Sequence, residues 1–193
     1  MHKKCVFWLN LLSALCGFTG VALSLTVNGP KCLALYSDLT ALFAGIISIV
    51  HAAGLDRAGR KDRVFRFASA VSQVLVLLFA LISLLPAFSF SFSKFSPHLI
   101  LMHFCAPTLS LISYFALERD GQLRFSDTLY GYLFTGMYAV FAIVLCAAGI
   151  AHTEAYPFLN FYPGHMAVPF LEDAGILCAI YGIDWTVYRL SRR

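Results

Sequence analysis

Asp56-Arg57-Ala58-Gly59-Arg60-Lys61-Asp62-Arg63-Val64-Phe65-Arg66 leads without a break into FASAVSQVLVLLFALISLLPAF, residues 67–88, a run with no charged side chain. Coiled as a helix at about 1.5 Å per residue, such a run matches the hydrocarbon thickness of a bilayer. The basic stretch before it reads as a connection kept at a membrane surface, because loops rich in Lys and Arg are retained on the cytoplasmic side. The same alternation extends both ways along the chain. It predicts membrane helices near residues 5–25, 33–54, 67–88, 98–117, 128–150 and 167–188. Gly29-Pro30 breaks the first connection, Ser89 to Pro97 forms the third, Glu118 to Asp127 the fourth, and Ala151 to Met166 the fifth.

The positive charges orient this expected bundle. With an inner N-terminus and sides alternating, Lys3, Lys4, Arg57, Arg60, Lys61, Arg63, Arg66, Arg119, Arg124, Arg189, Arg192 and Arg193 all fall inside, 12 of the 14 Lys and Arg residues. Lys31 and Lys94 fall outside. One miscounted helix would scramble this asymmetry, so it supports the even number of spans and the cytoplasmic termini together.

Composition agrees. Of 193 residues 60% are apolar and 12% charged, and the mean hydropathy is +0.77, more apolar surface than one soluble core of this size hides. The expectation is an all-α, polytopic bundle of six helices forming a single domain over residues 1–193, with no internal repeat and no linker. The net charge of +4 does not indicate nucleic acid, because the charges sit between apolar runs and form no basic face. Cys5, Cys16, Cys105, Cys146 and Cys178 lie in apolar segments and Cys32 at a segment edge, without a CxxC motif, so they read as small buried hydrophobes. The start Met1-His2-Lys3-Lys4, followed by an apolar run to Leu25, reads as a retained first helix: it is long enough to span and lacks a small-x-small cleavage site.

Polar groups at membrane depth are the functional candidates. The second, fourth and sixth helices run in the same direction, and Ser37, Asp38, His103, Glu172 and Asp173 all fall about 6–9 Å below the outer boundary at 1.5 Å per residue. They are expected to share one shallow pocket. Ser37, Thr40, Ala44, Ser48 and His51 follow one face of the second helix, and His103, Pro107, Ser110 and Tyr114 one face of the fourth, where Pro107 frees a backbone carbonyl about one turn back and is expected to kink the helix beside His103. A hydroxyl beside an imidazole, with a carboxylate to orient the ring, is the minimal set for nucleophilic acyl transfer. Ser37 or Thr40 would attack, His103 would act as base, and Asp38, Glu172 or Asp173 would orient it. The competing reading of the same residues is hydrogen bonding and close packing between helices.

No His or carboxylate has a second ligand at i, i+4 spacing on its own helix, so neither a metal nor any other cofactor is expected. His51, Glu118 and Asp184 lie near inner helix ends and read as interfacial anchors, satisfied by headgroup water or loop arginines. The uncharged aromatic loop containing Tyr156, Pro157 and Phe158 suits the headgroup boundary, either as an aromatic belt or as a lid over the pocket.

Three stretches together resemble the androgen-induced family of integral membrane proteins and its bacterial relatives: Tyr36-Ser37-Asp38-Leu39-Thr40-Ala41-Leu42-Phe43-Ala44-Gly45, His103-Phe104-Cys105-Ala106-Pro107 through Glu118, and Tyr156-Pro157-Phe158-Leu159. Animal members are known as hydrolases of fatty-acid esters of hydroxy fatty acids, with an intramembrane Thr nucleophile in an early helix and a His before a Pro. The resemblance implies that Ser37 stands at the Thr position and His103 at the His position. The Thr-to-Ser change leaves Thr40 as a rival nucleophile, and Pro107 follows His103 at four residues where the animal pattern is one longer. A lipid-ester substrate, membrane lipids as partners and a bacterial inner membrane as location are what the resemblance implies. The alternative class is a non-enzymatic membrane protein, a small-molecule permease or a binding and scaffold component, for which Asp38, Glu172 and Asp173 matter more than Ser37.

Overall fold

The computed structural model describes the backbone of residues 2–54, 59–118, 123–147 and 167–192, and the side chains of all of these but residues 2, 143, 145–147, 167–174, 176 and 177. Every regular element among the described residues is helical. Among the described residues four helices are long and apolar enough to cross a membrane: α1, Lys3–Ala34; α2, Tyr36–Gly54; α3, Arg60–Ala87; and α4, Pro97–Glu118. Two more follow, α5 over Thr128–Ala147 and α6 over Ala167–Ser191.

Local chemistry sets the breaks. The α-helical part of α1 stops at Asn28, because Gly29 takes φ +66°, a conformation glycine adopts without a Cβ clash, and Pro30 lacks an N–H. The last turn of α1 then tightens to a 3-10 helix over Gly29–Ala34. Two other prolines act from inside their helices. Pro86 and Pro107 cannot donate to the carbonyls four residues back, and α3 widens into a π turn over Ala80–Leu84 and α4 over Leu101–Cys105, each just before its proline. The sequence anticipates the distortion beside Pro107. It does not anticipate that α3 starts at Arg60, well before residue 67, because hydropathy counts every Arg against a span, whereas Arg66 is turned inward and fully paired.

Helix α3 is the hub, packing against α2, α4, α5 and α6. Val64, Phe67, Ala70 and Val71 of α3 join Tyr114, Leu123, Val187 and Tyr188 in one apolar cluster that ties α3, α4 and α6. Helices α1 and α2 meet over small residues: a Cβ on Gly45 would lie 2.9 Å from the Phe18 ring, and one on Gly17 3.1 Å from the Ala41 carbonyl oxygen. Close backbone approach of this kind drives helix association where lipid removes the hydrophobic difference between inside and outside. The converse is visible on the exterior, where Trp8, Ile82, Met137 and Val140 are each more than half exposed. The Ser13 hydroxyl donates to the Ala106 carbonyl at 2.9 Å, which fixes α1 to α4 as an integral part of the bundle. Cys5, Cys16, Cys32, Cys105 and Cys178 are free thiols.

Candidate functional site

Polar side chains gather at both ends of the bundle, and the two groups differ. At the end carrying the Lys and Arg residues, Arg66 is the largest fully buried side chain. Its Nε donates to Glu118 Oε2 at 2.7 Å and its terminal nitrogens to Glu118 Oε1 at 3.1 Å and to the hydroxyl and carbonyl of Ser110 at 2.9 and 3.1 Å. Glu118 also accepts from Asn10 Nδ2 at 2.8 Å and from the Ser113 hydroxyl, and it faces His51 Nε2 at 3.3 Å. The other ring nitrogen, Nδ1, meets Asp62 Oδ2 at 2.7 Å. A buried ion pair persists only when its remaining hydrogen-bonding capacity is also met, and this one draws on α1, α2, α3 and α4. His51 and Glu118, expected as anchors at the interface, are instead buried members of this network; the expectation that an arginine satisfies Glu118 holds.

At the opposite end, Asp38 in the first turn of α2 is buried. Ser37 Oγ donates to its Oδ2 at a long 3.5 Å, the Ser24 hydroxyl and Cys32 thiol are turned toward it, and His98 acts on it through space. Its Oδ1 has no partner among the described residues. Thr40 is wholly buried and its hydroxyl has no close hydrogen-bond partner among the described residues; its polar neighbour is the Tyr36 hydroxyl, which bonds Thr135 of α5 at 3.0 Å.

His103 is buried in the π turn of α4, and its Nδ1 lies 3.2 Å from the Leu99 carbonyl oxygen. A carbonyl only accepts, so Nδ1 carries the proton and Nε2 keeps its lone pair. The orienting role expected of a carboxylate thus falls to a backbone oxygen. Among the described residues no hydrogen bond joins His103 to Ser37, Thr40 or Asp38; Asp38 is turned to Ser24, Cys32 and His98. The side chains of Glu172 and Asp173 and the loop residues Tyr156, Pro157 and Phe158 lie outside the described residues.

Helix register relates His103 to the two hydroxyls. His51 and Ser113 share a level, since both meet the Glu118 carboxylate. From that level Thr40 is about 16.5 Å along α2 and His103 about 15 Å along α4 at 1.5 Å per residue, whereas Ser37 is about 21 Å away. Thr40 and His103 are therefore close to one depth on helices that run the same way, with Ser37 about one turn further out. No protein-family model, curated protein or solved structure matches this chain.

Sequence reasoning placed His103 and the hydroxyls of α2 but missed Arg66, which it counted among the loop arginines. The signal was present: on α3, Arg66, Ser69 and Gln73 repeat at three and four residues, a polar stripe inside a span. Ser48, Ser69 and Gln73 are buried with oxygens that have no partner among the described residues, one to two turns from His51 and Arg66. Among the described residues no group of three His, Cys, Asp or Glu is placed to hold a metal ion.

Proposed function

We propose that this chain is a six-span membrane protein with both termini in the cytoplasm, and that the end of its bundle away from the cytoplasm hydrolyses lipid esters inside the membrane. Helices α5 and α6 supply the fifth and sixth spans, and the basic end, rich in Arg, faces the cytoplasm as retained Lys and Arg require. Labelling of single cysteines with a membrane-impermeant maleimide in intact cells tests this: Lys94→Cys should react and Arg124→Cys should not, and the reverse pattern would remove the orientation.

The observation that carries the chemistry is the fixed tautomer of a buried imidazole, with Nδ1–H on the Leu99 carbonyl and Nε2 left as a base at the depth of an unbonded buried hydroxyl. In this reading the Thr40 hydroxyl, with Ser37 as the rival, attacks the ester carbonyl as its proton passes to Nε2. The alcohol then leaves, taking that proton, and water, deprotonated by the same nitrogen, releases the fatty acid. The resemblance to the androgen-induced family points to the same substrate class. The test is to incubate the folded protein with a fluorophosphonate and map the adduct by mass spectrometry. An adduct on Thr40 or Ser37 that vanishes in His103→Ala supports hydrolysis; folded protein that takes no adduct counts against it.

One observation favours a second reading, a non-enzymatic permease or ligand-binding component. Among the described residues, Thr40, Ser48, Ser69 and Gln73 leave buried oxygens without partners along α2 and α3. Such a column suits water or a small polar solute. Solute uptake in the absence of any adduct would select this reading.

A further inference from the structure

Asp184 of α6 is fully buried, and neither of its carboxyl oxygens has a hydrogen-bond partner among the described residues. It enters α5 at Gly131, where a Cβ would overlap Oδ1 and would lie 3.0 Å from the Phe67 ring of α3. The absence of a side chain at residue 131 is what leaves the carboxyl its room, and an aromatic edge closes the niche. Phe67 continues into the apolar cluster with Val64, Ala70, Val71 and Val187.

Several charged and titratable groups of the surrounding helices have partners of their own among the described residues. On α3, Arg60 reaches Asp127, Asp62 meets His51, and Arg66 serves Ser110 and Glu118. On α5, Tyr132 rests on Tyr181; on α6, Arg189 covers Trp185 and Arg192 bonds Tyr188. An ionised carboxylate in the niche would lose its water and gain no donor among the described residues. A metal ion would need several oxygen ligands where the walls offer a ring edge and a glycine backbone. A proton needs one oxygen.

We propose that Asp184 is a proton-binding site, a carboxylic acid held neutral at the junction of α3, α5 and α6 and able to exchange its proton when that junction opens. This assignment is independent of any chemistry at His103. Infrared spectroscopy of the folded protein at neutral pH tests it. The wild-type spectrum should contain a protonated-carboxyl carbonyl band that is lost in Asp184→Asn, while this neutral isostere keeps the wild-type melting temperature. Gly131→Ala, which evicts the carboxyl without removing it, should lose or shift the same band and carries the test if Asp184→Asn does not fold. Loss of carboxylate bands in place of the acid carbonyl, or an acid band unchanged in the variants that fold, would overturn the proposal.

Discussion

The two ends of the bundle treat their ionisable side chains differently. At the basic end the side chains of Arg66, Glu118, His51 and Asp62 are bonded into one network. At the opposite end Thr40 Oγ1, Asp38 Oδ1 and one ring nitrogen of His103 have no partners among the described residues. Polar groups bonded to one another hold helices together, and their loss is felt as stability. Polar groups left open contribute little to stability and are available to a substrate. The comparison therefore predicts that variants at the basic end change folding and variants at the opposite end change chemistry.

The largest effect is expected at Glu118. Glu118→Ala strands a buried guanidinium and should destabilise the protein by about 3–5 kcal/mol, read as a lowered melting temperature in detergent. The double variant Arg66→Met with Glu118→Leu should recover much of that loss, because both charges are then removed; no recovery would mean that the network does more than cancel its own charges.

Asp127 is next. It lies in the connection before α5, where it accepts from the Arg124 backbone amide and from Arg60, both at 2.8 Å. Burial pushes its carboxyl up, but the Arg124 amide and the Arg60 guanidinium outweigh it and hold it below the usual aspartate value. The unfolded chain keeps that usual value, about 3.9, so the contribution is complete above it and is lost as pH falls through the lower folded value. With Arg60 half exposed, Asp127→Asn should cost about 1.5 kcal/mol at neutral pH, the low end for a bond to a charged group. Wild type should lose its advantage over this variant on acidification below about pH 4. A difference in melting temperature that does not change with pH would show that the charge is not what matters.

At the α1–α2 crossing Gly45→Ala must displace the Phe18 ring and should cost about 1 kcal/mol. The smallest effect on stability is expected from Thr40→Ala, within about 0.5 kcal/mol, since no hydrogen bond is broken. A large destabilisation there would erase the contrast between the two ends.

What the sequence revealed follows from the range of the forces involved. Helix formation in a bilayer is dictated by local apolarity, and residues 33–54 and 98–117 predicted α2 and α4 to within a few residues. A distortion beside Pro107, though not its form as a π turn, was legible for the same reason, because the missing N–H acts within one turn. The start of α3 was not legible: Arg66 is tolerated in the interior because Glu118 and Ser110 meet it, and that pairing spans 52 and 44 residues of sequence. Asp184 read as an anchor near a helix end because its niche is made by an absence, the side chain that Gly131 lacks on another helix. Likewise the sequence offered Asp38, Glu172 or Asp173 as the group that orients His103, whereas in the structure a backbone carbonyl of the same helix meets its Nδ1.

The coupling between His103 and a hydroxyl of α2 is the central claim, and the rate of fluorophosphonate labelling measures it most directly. Wild type, Thr40→Ala, Ser37→Ala and His103→Ala should be compared at matched melting temperature. The account predicts that His103→Ala slows labelling by about a hundredfold or more, as loss of a general base does, and that Thr40→Ala abolishes it while Ser37→Ala retains it. Labelling of His103→Ala at the wild-type rate would contradict it.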